Sequence, residues 1–297
     1  MASGQDVLSQ TGFGETERTD NWWSHPLVVL IGLSLFVLYG LFRTIYPVLV
    51  PEAQAGIYHE SLLSPFYSPL LFAEEPVTHV VFGTFPEWWP QLVRSPAILI
   101  LWAPLGLRVT CYYYRKAYYR AFFQDPTACA VAEPRDDYAG ETGLLRFQNI
   151  HRYFLYLGIL FIIMLSFEAI RAFFWNVQAG QPFWTGDIQV RVGTLVLLLN
   201  VFLLAGYTFG CHSLRYLIGG NRRCFSCPNN PHNDDAGSAV SKRYGLWKGV
   251  TKLNVNHATW AWFSLFMVAF ADFYVWMVSI DVWPDYLILD ITAMIGI

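Results

Sequence analysis

The stretch IQVRVGTLVLLLNVFLLAGYTFG, residues 188–210, decides the fold, because no charged residue follows Arg191 within it. An apolar run of this length can cross the roughly 30 Å hydrocarbon layer of a membrane as a helix. Lipid offers the backbone no hydrogen-bond partners, so a helix is the expected structure. The run ends at Cys211 and His212, two residue types that bind metals.

Four further stretches are expected to cross the membrane in the same way. The chain of 297 residues is 55% hydrophobic and only 14% charged, which is typical of an integral membrane protein. The expected fold is all-α, a bundle of about five transmembrane helices between a tail of residues 1–25 and a tail of residues 281–297. Pro104 predicts a kink in the second helix. The predicted spans are residues 26–42, 96–114, 153–174, 188–210 and 258–280.

The distribution of lysine and arginine predicts the orientation. Residues 108–152 hold seven of the nineteen basic residues, and residues 215–252 hold another seven. With five helices both connections lie on one side, which the positive-inside rule makes cytoplasmic. The N-terminus is then cytoplasmic and the C-terminus periplasmic. The net charge of −3 gives no signal for binding nucleic acid.

This topology places all five cysteines and four of the seven histidines on the cytoplasmic side, at or just beyond helix ends. Thiols and imidazoles gathered at one depth suit a metal or iron–sulfur centre. His232 is a weaker candidate, because it lies farther into its loop. The main candidate ligands are Cys111, Cys129, Cys211, Cys224, Cys227, His151, His212 and His257.

Each group of candidates also has an explanation without a metal. The C-x-x-C pair that precedes the last helix could be two inert cytoplasmic thiols. The tyrosines and arginines between Cys111 and Cys129 also fit an aromatic and basic belt at the inner leaflet. His151 and His257 begin helices, where polar residues are common. The interpretation as a metal or iron–sulfur site depends on these residues meeting at one depth in the membrane.

Three charged residues lie inside or near the predicted spans, where a charge usually has a function. Glu168 and Arg171 are three positions apart on one helix, so a local pair is expected. Asp272 has no such neighbour. Asp272 could therefore belong to a proton path, or it could form a salt bridge with Arg191.

Several segments together resemble the membrane-anchor, cytochrome b-like subunit of a bacterial succinate dehydrogenase or fumarate reductase. More narrowly, the chain is similar to the five-helix anchor of the mycobacterial type, which holds a Rieske-type [2Fe–2S] cluster in the membrane. The segments are TCYYYRKAYYR (residues 110–120), PTAC (126–129), QNIHRY (148–153), GCHS (210–213) and KLNVNHATWAWFSLFMVAFAD (252–272).

The resemblance implies a multi-pass subunit of the bacterial inner membrane that has no succinate site of its own. Flavoprotein and iron–sulfur subunits on the cytoplasmic face would supply electrons, which would pass through the membrane cluster to a quinone such as menaquinone. A further small membrane subunit is also compatible with it. The quinone site is expected among residues near the inner cysteines: Tyr113, Tyr114, Arg115, Trp260, Trp262 and His257.

Three alternatives stay open at this point. The same complex could hold b-type haem on His151 and His257 instead of a cluster. A zinc-stabilised membrane scaffold without redox activity would use Cys211 with the C-x-x-C pair and a histidine. A transporter would require discontinuous helices and several charges at the membrane midplane.

Overall fold

The fold is an α-helical membrane bundle, as the composition predicts. Within the described part of the chain, four helices are long and apolar enough to cross a membrane: α1, α5, α6 and α9 as defined below. The computed structural model describes residues 12, 14–50, 56–74, 77–124, 127–132, 145–178, 181–220 and 237–295. The helices are α1 (Ser24–Leu49), α2 (Pro96–Ile100), α3 (Trp102–Thr110), α4 (Tyr112–Tyr118), α5 (Leu145–Arg171), α6 (Val192–Phe209), α7 (His212–Gly219), α8 (Gly237–Val255), α9 (His257–Ser279) and α10 (Ile291–Ile295). The strands are β1 (Tyr58–His59), β2 (Leu62–Leu63), β3 (Phe174–Trp175), β4 (Asp187–Arg191) and β5 (Leu287–Asp290).

The second predicted span, residues 96–114, is not one continuous helix. A turn at Leu101 separates α2 from α3, and α3 ends at an extended residue, Cys111. Pro104 lacks the N–H that would bond to the carbonyl of Ile100, which accounts for the interruption. Residues 96–110 rise only about 22 Å at 1.5 Å per residue, so this element is shorter than the hydrocarbon layer.

A folded segment, residues 56–74, covers the end of the bundle opposite the cysteines. We call this the outer end, and the end with the cysteines the inner end. The hairpin of β1 and β2 and the 3-10 turn Pro65–Tyr67 bury apolar side chains against α1 and α9. Leu62, Leu63 and Tyr67 are fully buried there. The segment therefore forms part of the protein core.

A buried ion pair fastens this segment to the first and last spanning helices. Arg43 Nε donates to Asp272 Oδ2 at 2.7 Å, and both side chains are inaccessible to solvent. The hydroxyls of Tyr39 and Ser64 also donate to the Asp272 carboxylate. Pro47 cannot bond to the carbonyl of Arg43, and the Tyr67 hydroxyl donates to that carbonyl instead. The salt-bridge partner of Asp272 is thus Arg43 and not Arg191, which was one of the two possibilities that the sequence left open.

Glu168 also has a different partner from the expected one. His79 Nδ1 lies 3.0 Å from Glu168 Oε2, and His79 Nε2 lies 2.8 Å from the carbonyl oxygen of Glu60. A carbonyl only accepts, so Nε2 carries a proton and a further proton is shared between Nδ1 and the carboxylate. Arg171 donates to the carbonyl of Thr78 at 2.8 Å. The covering segment and the residues that follow it, not the i+3 neighbour, satisfy Glu168.

A small antiparallel sheet in the order β3-β4-β5 lies at the outer end. Residues 188–191, expected to begin a helix, belong to β4 and pair with β3 and β5. Helix α6 therefore begins at Val192, where the Arg191 N–H donates to the Thr194 hydroxyl at 3.4 Å. The C-terminal tail adds β5 and the short helix α10 to this end.

At the inner end, α7 and α8 pack side by side. Arg215 Nε donates to the Thr251 hydroxyl at 3.1 Å, and its guanidinium lies 4.8 Å from the ring centroid of Trp247. Arg243 donates to the carbonyls of Ile218 and Gly220 at the end of α7. Much of the second connection rich in lysine and arginine, residues 215–252, is therefore helical.

Candidate functional site: a buried cysteine and histidine cluster

Two cysteines lie at matching bends between helices at the inner end. Cys111 separates α3 from α4 with φ −67° and ψ 132°, and Cys211 separates α6 from α7 with φ −62° and ψ 137°. Each is only 2% exposed. Each carbonyl accepts from the N–H of the arginine four positions later, Arg115 or Arg215. The two bends thus present two thiols inside the bundle at equivalent places.

Two histidines face these thiols from two other helices. His151 Nε2 lies 3.1 Å from Cys211 Sγ, and His257 Nε2 lies 3.8 Å from Cys111 Sγ. His257 is the first residue of α9 and is 2% exposed, whereas His151 lies in the second turn of α5 and is half-buried. The sequence therefore predicted four residues that do meet: Cys111, Cys211, His151 and His257.

Thr110 fixes the tautomer of His151. Its hydroxyl donates to the carbonyl of Gly106 at 2.7 Å, and its oxygen lies 2.8 Å from His151 Nδ1. Because the hydroxyl proton is already used, Nδ1 is the donor, and Nε2 presents its lone pair toward Cys211. A ligating histidine needs this arrangement, with one nitrogen donating and the other free for the metal.

Electrostatic interactions join the two Cys–His pairs into one site, since Cys111 acts on Cys211 and His151 acts on His257. Burial raises the pKa of the Cys211 thiol, although the backbone N–H groups of Ser213 and Leu214 favour the thiolate. A bound cation would supply the charge that a buried thiolate needs. The Nδ1 atom of His257 is buried and has no hydrogen-bond partner among the described residues.

The described donors do not form a site for a single metal ion. Within the residues described, no three histidine, cysteine or carboxylate side chains converge closely enough to hold one metal ion. The four donors come from four elements and form two Cys–His pairs, whereas a Rieske-type centre binds one iron by two cysteines and the other by two histidines. Two thiolates and two imidazoles still match the donor types of a Rieske-type [2Fe–2S] centre.

The remaining candidate ligands lie outside this set. Cys129 is exposed, and its carbonyl accepts from Arg18 Nη1 at 2.8 Å. His212 begins α7 with an exposed side chain, and it acts electrostatically on His257 rather than contacting a thiol as His151 does. Cys224, Cys227 and His232 lie outside the described residues.

A cavity of about 200 Å³ lies beside the cluster, between the inner ends of α1, α4 and α9. It includes three of the residues expected at a quinone site: Tyr113, Tyr114 and Trp262. The ring of Tyr113 is 5.3 Å from that of His257, so one side chain contacts both the cavity and the cluster. The polar and aromatic lining residues are His25, Tyr113, Tyr114, Lys116, Arg120 and Trp262.

Three of the expected quinone residues do not line this cavity: Arg115, Trp260 and His257. Arg115 is 2% exposed and acts on His151 instead. Trp260 packs on Phe202 and on the backbone of Gly206. Sequence reasoning missed His25 and Lys116, because nothing in the chain indicates that the start of α1 meets α4. The basic character of the segment after Cys111 was the available signal for Lys116.

The fold and the site together define a multi-pass membrane protein with a buried set of two thiols and two imidazoles at one end. The chain matches the family model of the actinobacterial succinate dehydrogenase subunit SdhC over residues 24–281, and it belongs to that family. It is therefore a membrane subunit of a bacterial succinate dehydrogenase complex, not the part that oxidises succinate.

A solved structure supports the same assignment. A chain of the Mycobacterium smegmatis Sdh1 complex in the apo form is 36% identical to this one and superposes with a TM-score of 0.76. The match covers 92% of this chain and 94% of that chain. The comparison with curated proteins gives no match.

Proposed function

We propose that the chain carries electrons from the cytoplasmic part of a succinate:quinone oxidoreductase, through a Rieske-type [2Fe–2S] cluster, to a quinone. The observation that carries this proposal is the pairing of His151 with Cys211 and of His257 with Cys111 at the inner end of the bundle. These residues come from four separate parts of the chain, so their convergence is a property of the fold.

The residues around the proposed cluster have distinct tasks. The two thiolates and two imidazoles would hold the cluster, which supplies one-electron transfer when bound. Thr110 keeps Nε2 of His151 free to ligate. Packing around the two cysteines excludes water, and the Tyr207 ring stacks on His257 with centroids 4.9 Å apart.

The cavity beside the cluster is the proposed quinone site, with menaquinone as the expected quinone. Tyr113 and Trp262 offer aromatic walls to a quinone ring, and His25 and Lys116 offer donors to its carbonyl oxygens. The Tyr114 hydroxyl is already engaged, because it accepts from Arg108 and donates to the carbonyl of Ala261. Tyr114 therefore contributes only its ring.

The proposed partners are the flavoprotein and iron–sulfur subunits of the complex. They would dock on the inner end, which the basic connections make cytoplasmic. The helices α7 and α8 offer basic side chains there, among them Lys248 and Lys252. Docking at this end brings the electron donor to the side where the four ligands lie.

The test is low-temperature electron paramagnetic resonance of the purified complex after reduction with dithionite. The expected result is a signal with the low mean g value of mixed His/Cys [2Fe–2S] centres, in addition to the clusters of the iron–sulfur subunit. Iron content per complex gives an independent count. A complex without this signal and its iron would refute the proposed centre.

Variants then identify the ligands. Cys111→Ser, Cys211→Ser, His151→Ala and His257→Ala are each expected to abolish the signal and the electron transfer to quinone. Cys129→Ser is the matched control, because Cys129 is exposed and should leave both unchanged. Loss of the signal in Cys129→Ser with retention in Cys111→Ser would contradict the assignment.

The same experiment separates the two alternative centres. Haem would need two imidazoles facing one porphyrin, whereas each imidazole here faces a thiol. Haem would give cytochrome bands in the visible spectrum, and these bands should disappear in His151→Ala. Zinc would give a colourless, silent protein with stoichiometric zinc.

A further inference from the structure

Arg108 is a charged residue buried inside the bundle, one helical turn before Cys111. It is 8% exposed, and its guanidinium donates to the hydroxyl of Tyr114, to the carbonyl of Ala261 at 3.4 Å and to the hydroxyl of Ser264 at 3.1 Å. All three acceptors are neutral. Among the residues that the structure describes, no carboxylate forms an ion pair with Arg108.

The guanidinium lies next to the cluster site. Its central carbon is 4.9 Å from the ring centroid of Tyr207, and that ring stacks on His257 at 4.9 Å with an interplanar angle of 15°. The carbonyl of Arg108 also accepts from the Cys111 N–H at 3.1 Å. The Arg108 guanidinium therefore packs on Tyr207, which contacts the proposed ligand His257. Its backbone carbonyl is hydrogen-bonded to the proposed ligand Cys111.

An uncompensated buried charge is unfavourable unless something opposes it. The contrast with Arg43 is informative, since that buried arginine has Asp272 as its partner. A [2Fe–2S] centre on two thiolates and two neutral imidazoles is formally neutral when both irons are ferric. It carries one negative charge after one iron has taken an electron from a reductant. Arg108 lies one aromatic ring, that of Tyr207, away from His257 at the site where this negative charge would appear.

We propose that Arg108 is the built-in counter-charge of this centre, which stabilises its reduced form and raises its reduction potential. The inference rests on the proposed function, because it assumes that the cluster is present. Arg108 acts through the electrostatic field and is a positioning residue, since it lies outside the ligand set. The positive charge would make the centre easier to reduce by the clusters of the iron–sulfur subunit.

The test is a redox titration of the intact complex, followed by electron paramagnetic resonance. Arg108→Gln removes the charge and should shift the reduction equilibrium about tenfold or more toward the oxidised form, which is about 59 mV for a one-electron couple. Arg108→Lys keeps the charge and should stay much closer to the wild-type potential. A merely structural role would change the amount of cluster per complex but would not give this ordering of potentials.

A second pair of variants leaves Arg108 in place. Ser264→Asp puts a carboxylate beside Nη2 and neutralises the guanidinium, whereas Ser264→Asn has nearly the same size without the charge. Ser264→Asp should lower the potential relative to Ser264→Asn, in the same direction as Arg108→Gln. This comparison remains usable if Arg108→Gln does not assemble.

The outcomes separate the two proposals. A wild-type complex without the cluster signal would overturn the proposed centre, and this inference with it. A normal wild-type signal with equal potentials in Ser264→Asp and Ser264→Asn, or in Arg108→Gln and Arg108→Lys, would overturn the role of Arg108 alone.

Discussion

Thr110 shows how one hydroxyl can prepare a ligand before any metal arrives. Its proton goes to the carbonyl of Gly106, so its oxygen can only accept from His151. The lone pair on His151 Nε2 then points toward Cys211. Without this hydroxyl the imidazole could adopt either tautomer, and the ligand would lose its fixed orientation.

Substitution of Thr110 by Val should therefore weaken the centre without removing a ligand. Loss of a residue that orients a metal-bound histidine typically lowers metal affinity or activity about 10–100-fold. We expect Thr110→Val to yield complexes with a reduced iron content and a weaker cluster signal, and Thr110→Ser to resemble the wild type. Full occupancy in Thr110→Val, after a challenge with a chelator, would contradict this role.

At this scale the sequence predicted residue types better than residue partners. The four residues that meet were all among the candidates, because cysteines and histidines at helix ends are visible in the sequence. The partner of Asp272 was not, since Arg43 lies 229 positions earlier and only the packing of α1 against α9 joins them. Arg108 was counted only among the basic residues of the first inner connection, residues 108–152.

Helix α3 ends directly before Cys111 and packs closely against α5, which carries His151. Gly106 makes this approach possible, because a Cβ at that position would lie 2.1 Å from the ring of Phe154. A Cβ on Gly158 of α5 would likewise lie 2.7 Å from Leu107. The spacing of the two helices, and hence of the two ligands, depends on these glycines.

A methyl group at Gly106 should destabilise the bundle. Overpacking of a well-packed core usually costs about 1–3 kcal/mol, so Gly106→Ala should lower the thermal unfolding temperature in detergent. Gly249→Ala is the control, because Gly249 is an exposed helix position where an added Cβ would meet no other atom within 4 Å. That change should be neutral or stabilising by about 0.5–1 kcal/mol.

A second variant tests the cause of that effect. If contact with Phe154 is responsible, Phe154→Leu should restore part of the stability of Gly106→Ala. An unfolding temperature for Gly106→Ala equal to that of Gly249→Ala would show that α3 has room to move. The ligand spacing would then need another explanation.

The limits of the sequence are clear at the scale of elements. The long apolar helices follow directly from hydrophobicity and length. The division of residues 96–114 into three short helices does not, because its end at Cys111 is set by the packing of α3 and α4 against other helices. The covering segment, residues 56–74, lies between the first two predicted spans, and its short apolar stretches do not show how fully it is buried.

The whole molecule has different chemistry at its two ends. The inner end brings together thiols, imidazoles and the buried Arg108, which forms no ion pair within the described residues. At the outer end Arg43 forms an ion pair with Asp272, and Glu168 is hydrogen-bonded to His79. Paired charges make the outer end a fixed support, and the charge of Arg108 at the inner end remains available to a centre that changes its charge.

Breaking the outer ion pair should destabilise the complete fold, because it connects α1, α9 and the covering segment. Removing one partner of a buried pair costs about 3–5 kcal/mol, since it leaves the other charge buried alone. We expect Arg43→Met and Asp272→Asn each to lower the unfolding temperature sharply. The double variant should lose less stability than the sum of the two single losses. Glu74→Gln, at a partly exposed pair with Arg94 (3.6 Å), should change stability by less than about 1 kcal/mol.

The double variant distinguishes an electrostatic support from simple filling of space. In Arg43→Met with Asp272→Asn no buried charge is left unpaired, so the coupling between the two changes should be large. Strictly additive losses would mean that each side chain acts alone, through packing or its own hydrogen bonds. The cluster signal gives a separate readout, because the ion pair lies at the opposite end from the ligands. Retention of that signal in a weakened double variant would show that the outer end supports the fold without taking part in electron transfer.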